Sequence, residues 1–166
     1  MSLEHLWAGW RLAYIKDESK RRDVHGDCVI CDLVAAKDEA EALVLERTAT
    51  TVTVMNLYPY TSGHVMVAPR RHVGSLAELD EAEATALMVA LRRASAAIDA
   101  AYSPGGQNIG LNQGAAAGAG LPGHLHVHAL PRWTGDTNFM TSVAEARVLP
   151  EDIRTSYDRL RAAFGR

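Results

Sequence analysis

In Gly123-His124-Leu125-His126-Val127-His128-Ala129-Leu130-Pro131, imidazole and apolar side chains alternate residue by residue. That period of two predicts a strand over 124–131, with His124, His126 and His128 on one face and Leu125 and Val127 turned to the core. Neighbouring histidines along such a strand are ~7 Å apart, from its rise per residue. Near neutral pH an imidazole can serve as nucleophile, acid or metal ligand. A strand that only binds metal, or a solvated face that happens to carry histidine, would read the same in isolation. Three of the seven histidines fall within five positions, which weighs against the solvated face.

The preceding stretch, Asn112-Gln113-Gly114-Ala115-Ala116-Ala117-Gly118-Ala119-Gly120-Leu121-Pro122-Gly123, carries four glycines and almost no bulk. Backbone N–H groups of such a loop can approach a phosphate closely, because few β-carbons stand in the way. A flexible linker has a similar composition. Directly beside a strand of imidazoles, the loop points instead to an anion site next to a nucleophile.

Further out, Leu43-Val44-Leu45, Thr51-Val52-Thr53-Val54-Met55 and His64-Val65-Met66-Val67-Ala68 read as strands, the last stopped by Pro69. Between the second and third, Asn56 to Gly63 is rich in turn residues and predicts a hairpin-like connection. A helix is expected over 81–102. Asp80 and Glu83 form a capping-box pattern, and Ala84, Leu87, Met88, Leu91, Ala94, Ser95, Ile98 and Tyr102 keep the helical spacing of one face. Pro104-Gly105-Gly106 ends it, and a further strand is expected over 107–112. A last helix from Pro150 should bury Ile153, Tyr157, Leu160 and Phe164, with proline in the favoured first position. The fold class is therefore α+β with an antiparallel sheet, since strands outnumber helices and cluster in neighbouring pairs.

With 166 residues the chain has room for one domain, which can bury roughly two-thirds of the surface its unfolded form exposes. Residues 1–27 read as an N-terminal arm, 28–140 as the main domain, and 141–166 as a C-terminal helical extension of it. A composition 48% hydrophobic and 22% charged excludes a disordered chain or a coiled coil. No apolar run reaches the ~18 residues that would span a membrane, and the first residues show no signal-peptide pattern. A net charge of -3 argues against a broad footprint for nucleic acid. Two cysteines do not make a disulfide scaffold, and a cytoplasmic location is expected.

The pattern His124-Leu125-His126-Val127-His128-Ala129-Leu130 resembles the signature of the histidine triad superfamily of nucleotide hydrolases and transferases. Asn56, Gly63-His64-Val65-Met66-Val67, the helix, and Asn112-x-Gly114 follow in the order of that family, so the resemblance spans about residues 28–133. Asn56-Leu57-Tyr58-Pro59-Tyr60 and Pro131-Arg132-Trp133-x-Gly135-Asp136-x-Asn138-Phe139 look like the bacterial branch that includes diadenosine tetraphosphate phosphorylases. The resemblance implies an antiparallel sheet with one long helix packed on it and a C-terminal helix. It implies that His126 attacks the α-phosphorus of an adenosine nucleotide and forms a nucleotidyl-imidazole, which water or inorganic phosphate then releases. It places His128 near the transferred phosphate. Asn112 and the backbone of Gly118, Ala119 and Gly120 map to phosphate and ribose contacts. Asn56 maps to the ribose, Val54 and Met66 to the walls of the base pocket, and His64 to its vicinity. Ala119 and Gly120 depart from the polar side chain many members carry there, which leaves rate and acceptor preference open. Family members pair their sheets, so a homodimer is implied.

Cys28-Val29-Ile30-Cys31 is ambiguous alone: half a zinc site, a redox dithiol, or two reduced thiols. A structural zinc needs two more nitrogen or sulfur ligands. In zinc-containing members the metal is held by such a C-x-x-C, a histidine just after the third strand, and the first triad histidine. Here those positions are Cys28, Cys31, His72 and His124, with His25 a spare candidate and His5 a surface residue. Arg70 and Arg71 could meet polyphosphate or simply end a strand, Trp7 and Trp10 could stack on a base or pack the arm, and Trp133 and Asn138 lie near the expected site. The expected activity is cleavage of dinucleoside polyphosphates. The competing expectations are a nucleoside phosphoramidate hydrolase and a nucleotide-binding or interaction protein without turnover.

Overall fold

A computed structural model of the chain describes residues 28–137 and 149–165. The expected N-terminal arm, with His5, Trp7, Trp10 and His25, lies outside the described residues, as does Asn138. The elements run in the order α1 (Val29–Ala35), β1 (Val44–Arg47), β2 (Thr51–Met55), β3 (Val65–Pro69), α2 (Glu81–Tyr102), β4 (Gly106–Gly110), β5 (Val127–Arg132) and α3 (Ile153–Phe164). The five strands form one sheet in the order β1-β2-β3-β5-β4, every pair antiparallel. The α+β class expected from the sequence is what the chain adopts. Among the described residues, no helix is long and apolar enough to cross a membrane.

Both faces of the sheet are covered, so alternation sorts side chains between two cores. Val65 and Val67 of β3, with Val127 and Ala129 of β5, meet Leu87, Leu91, Ala94 and Ile98 of α2 and Tyr157 and Leu160 of α3. On the opposite face Val52, Val54, Met66 and Ala68 pack with Val44, Cys28 and Ile30, under the short helix α1. The sequence signals for α2 were sufficient: Asp80 accepts from the Glu83 amide, and Glu83 bonds back to the Asp80 amide. Its buried face, however, runs through Leu87, Ala90, Leu91, Ala94, Ala97 and Ile98. Ala84 is exposed and Met88 is 64% exposed, because the packed stripe is narrower than the apolar spacing allows.

Several boundaries differ from expectation: β1 runs over Val44–Arg47 rather than 43–45, and β3 over Val65–Pro69 rather than 64–68, with Pro69 inside it. β5 begins at Val127 rather than at 124, since its pairing with β3 ends at Val67↔Val127. Upstream of that point the backbone turns to other partners: the Leu125 amide donates to Val73 O at 2.6 Å. β4 occupies 106–110, its register closing with Gly110↔His128, so the segment from Leu111 is free to form the glycine-rich loop. Pro150 does not open the last helix; Asp152 caps it, accepting from the Thr155 amide at 2.9 Å.

One glycine is obligatory for this packing. Gly63, at the end of the β2–β3 connection, has φ +77°, and a β-carbon there would sit 2.5 Å from Cε2 of Tyr102. Gly63→Ala combines left-handed strain with overpacking, an expected loss of about 2–4 kcal/mol. Urea unfolding of the variant should show a lowered midpoint at an unchanged slope; a midpoint equal to wild type would refute the close approach.

Candidate functional site

Val44, Val54, Met66, His128 and Gly110 are partners in turn across β1, β2, β3, β5 and β4, forming one rung through the whole sheet. Val54 and Met66, assigned above to a base pocket, are thus direct neighbours, and Met66 is the direct neighbour of His128. Both are buried, in the core that includes Cys28 and Leu121. Two residues before His128, on the same side of the chain, lies His126, with its ring centroid 4.9 Å from that of His128 in an edge-on arrangement. This is closer than the ~7 Å strand repeat because the rings tilt toward one another.

Each imidazole is held by its surroundings in a definable tautomer. A carbonyl can only accept, so the 2.8 Å contact of His126 Nδ1 with the His124 carbonyl means that Nδ1 carries the proton. The lone pair of His126 is then at Nε2. His124 has the opposite arrangement. Its Nε2 donates to Pro69 O at 2.8 Å, which turns an unprotonated Nδ1 toward the cysteines.

That Nδ1 lies 3.2 Å from Cys28 Sγ and 3.5 Å from Cys31 Sγ, and Cys31 Sγ lies 3.3 Å from His72 Nδ1. The four coordinating atoms all fall within 4.8 Å of one another. Two sulfurs and two ring nitrogens at such spacings fit a tetrahedral shell, whose ligand atoms are about 3.3–3.8 Å apart. The residues present therefore can hold a metal. His72 is carried there by the segment after β3, which Arg71 fastens to α2 through bonds of 2.7 and 2.6 Å to the two oxygens of Glu83. The Arg71 guanidinium, with the Asp80 amide, holds the Glu83 carboxyl down to about 2.

The glycine-rich loop makes a 3-10 turn over Ala115–Ala117, with Gly114 at φ +81° and Gly118 at φ +87°. It is fastened at its start, where Gln113 Oε1 accepts from the Leu76 amide at 2.9 Å. Gly118, Ala119 and Gly120 follow the turn, and Asn112 precedes it. Arg70 and Arg71 are at the far end of β3, where Arg70 bonds to Thr48 O at 3.2 Å. They are engaged structurally there.

Sequence reasoning did not foresee the linkage of His64. It is fully buried, and its Nε2 is 2.9 Å from His128 Nδ1. Asn56, expected at a ribose, has both polar ends engaged nearby. Its Oδ1 accepts from the Tyr58 amide at 3.0 Å, and its Nδ2 lies 3.3 Å from His64 Nδ1. A ribose hydroxyl would have to share or displace one of these bonds. Tyr60 lies beside the pair, with ring centroids 4.6 Å from His64 and 5.9 Å from His128. Trp133 packs edge-on against Tyr102 at 6.0 Å. No signal in a single sequence marks such ring-to-ring contacts, most of which join residues far apart in the chain.

The sequence profile of the HIT domain matches residues 37–135. The chain is 36% identical over 168 residues to an AP-4-A phosphorylase of Mycobacterium tuberculosis, covering 99% of this chain and 86% of that protein. It is 38% identical over 93 residues to an asymmetrical bis(5'-nucleosyl)-tetraphosphatase of Schizosaccharomyces pombe, 56% of this chain and 50% of that one. A Zn-bound histidine triad family protein of Mycobacterium smegmatis has the same fold, with a TM-score of 0.68 at 27% identity. The match covers 84% of this chain and 94% of that one.

Burial, and secondarily the neighbouring His126, push the His128 imidazole down to about 4. His128 is therefore neutral throughout the physiological range. Its ring C–H resonances should titrate near pH 4 rather than at the ordinary ~6.5. In His126→Asn the midpoint should rise part of the way back. A wild-type midpoint above 6 would contradict burial as the cause.

Proposed function

The chain belongs to the HIT family, and from that premise we propose that it cleaves dinucleoside polyphosphates of the diadenosine tetraphosphate class by nucleotidyl transfer through His126. One observation carries the proposal: the Nδ1–H of His126 is tied to the His124 carbonyl, so its lone pair is held at Nε2, on a residue that closely follows the glycine-rich loop in the chain. A fixed lone pair on a neutral imidazole is the form a nucleophile needs.

In the first step His126 Nε2 forms a bond to the α-phosphorus, and the bond from that phosphorus to the bridging oxygen breaks. The polyphosphate of the other nucleotide leaves with the electron pair. In the second step an oxygen of inorganic phosphate, or water, attacks the nucleotidyl-imidazole and restores His126. Phosphate gives ADP and water gives AMP. The backbone of Gly118, Ala119 and Gly120 meets the phosphate oxygens, although the Gly118 and Ala119 amides would have to share or release their bonds to Ala115 O and Gly114 O; Val54 and Met66 border the base, and Asn112 and Asn56 serve the ribose. His128 sits beside the transferred group, with His64 buried behind it. The identity to an AP-4-A phosphorylase over nearly the whole chain supports phosphate as the acceptor.

Cys28, Cys31, His72 and His124 would hold one zinc ion with no position left open. Its contribution would be structural, cross-linking α1 and the post-β3 segment to the residues that carry the nucleophile. Binding of this kind is coupled to folding. Two thiols outside any disulfide, at metal-ligand spacing, suit a reducing compartment such as the cytoplasm. β4 is an edge of the sheet with Ile109 exposed, which supports pairing of two copies as a homodimer.

Incubation with diadenosine tetraphosphate should yield ADP and ATP in the presence of phosphate. AMP formed at the same rate without phosphate would make the enzyme a hydrolase, and no product with either acceptor would refute turnover. His126→Ala should lose at least ~10³-fold in kcat while still binding nucleotide. Elemental analysis of protein purified without added metal should find close to one zinc per chain. Chelation, or Cys31→Ser, should lower the melting temperature before activity is affected in any other way. Metal content near zero with unchanged stability would end the zinc assignment.

A further inference from the structure

His64 is not an ordinary core residue. It is a fully buried polar ring with partners at both nitrogens, and those partners dictate where protons lie. On one side the Tyr60 amide donates to His64 Nδ1 at 3.1 Å, and an amide N–H cannot accept. The Asn56 carboxamide NH2, oriented by the Tyr58 amide on its oxygen, lies 3.3 Å from Nδ1 and 3.5 Å from Nε2 and so favours neither nitrogen. The Tyr60 amide aimed at Nδ1 makes that nitrogen the acceptor, so neutral His64 carries its proton at Nε2. The next contact, His64 Nε2 to His128 Nδ1 at 2.9 Å, then has His64 donating and His128 accepting. A neutral His128 is left with its own proton at Nε2.

We propose that His64 is a positioning residue. Through its Nε2–H it fixes His128 in the tautomer that presents an N–H at Nε2 to the departing oxygen of the substrate. This rests on the nucleotidyl-transfer role proposed for the site and specifies how one step is assisted. When His126 attacks the α-phosphorus, negative charge grows on the bridging oxygen as its bond to phosphorus breaks. A neutral N–H donor held beforehand stabilises that charge without reorganisation. No proton has to be transferred. The chain of donors begins at a backbone amide, which cannot resupply one, and a polyphosphate leaves as an anion. Burial, which keeps His128 uncharged near neutral pH, is consistent with a donor of hydrogen bonds rather than of protons.

Reverse assignment would be unproductive. With its proton at Nδ1, His128 would turn a lone pair toward the growing anion, and two N–H groups would face each other between His64 and His128. The turn holding Tyr58 and Tyr60 thus serves the chemistry indirectly, by setting one end of the relay.

The test has two parts. In the substrate-free, metal-loaded protein, nitrogen-15 NMR of the imidazoles reports which nitrogen carries each proton. Wild type should show His64 and His128 both protonated at Nε2 only. His64→Phe should release His128 into a mixture of tautomers, and His64→Gln, whose amide NH2 can replace Nε2–H, should restore the fixed form. A wild-type His128 protonated at Nδ1, or one unaffected by His64→Phe, would overturn the proposal irrespective of substrate. In turnover of diadenosine tetraphosphate, His64→Phe should lower kcat about 10–100-fold with KM within about twofold, and His64→Gln should recover most of the loss. Equal losses in both variants, or a loss confined to KM, would reduce His64 to a packing role. If the wild-type protein shows the expected tautomers but no turnover, the nucleotidyl-transfer assignment fails while the hydrogen-bond relay is upheld. If His64→Phe does not fold, the wild-type spectrum and His64→Gln decide.

Discussion

His64, His124 and His126 each give one ring nitrogen to the backbone, and the nitrogen that remains determines what the ring can do. His124 spends Nε2 on the Pro69 carbonyl and turns Nδ1 toward the two thiols. His126 spends Nδ1 on the His124 carbonyl and keeps Nε2. His64 accepts the Tyr60 amide at Nδ1 and donates onward to His128. An imidazole free to rotate and exchange tautomers would divide its population among several states, of which one is productive. Backbone groups remove that choice, because a carbonyl has no proton to offer and an amide no lone pair.

The sheet exists, in functional terms, to keep those backbone groups in register. β5 is flanked by β3 and β4, so His128 cannot shift without breaking two ladders. The face toward α2 and α3 is apolar and supplies the burial that holds the sheet against its helices. The opposite face is divided: apolar beside α1, imidazole and thiol where the chain enters β5. A metal at Cys28, Cys31, His72 and His124 would join three segments distant in sequence, immediately next to His126, the proposed nucleophile. Structural support and chemistry share the same two-residue step from His124 to His126.

Much of this was legible in the sequence because local rules and the final structure agree. The capping box at Asp80 and Glu83 and the stop at Pro104-Gly105-Gly106 placed the two ends of α2 correctly, and the β-branched run Thr51–Met55 is β2 without adjustment. The triad spacing and the C-x-x-C identified the residues that the fold brings together. Where the expectation differed, a tertiary partner made the difference. The strand at 124–131 loses its first three residues because Val73, not β3, takes the Leu125 amide. Met88 fits a helical stripe but has nothing opposite it. Pro150 resembles a helix start, yet Asp152 two residues on supplies the stronger cap. The seven residues of α1 are too few to show a period. The part proposed for His64 depends on a donor amide at residue 60 and an acceptor at 128, a relation no spacing rule encodes.

The central claim is that the α-phosphorus is transferred twice, first to His126 and then to the acceptor. Stereochemistry tests this without disturbing the protein. A dinucleoside polyphosphate made chiral at the reacting α-phosphorus by one sulfur and isotopic oxygen would be turned over by the wild-type enzyme, and the configuration of the nucleotide product determined. Two successive in-line displacements predict net retention. Net inversion would mean a single direct attack by phosphate or water, and would contradict the nucleotidyl-histidine account however active the enzyme proved to be.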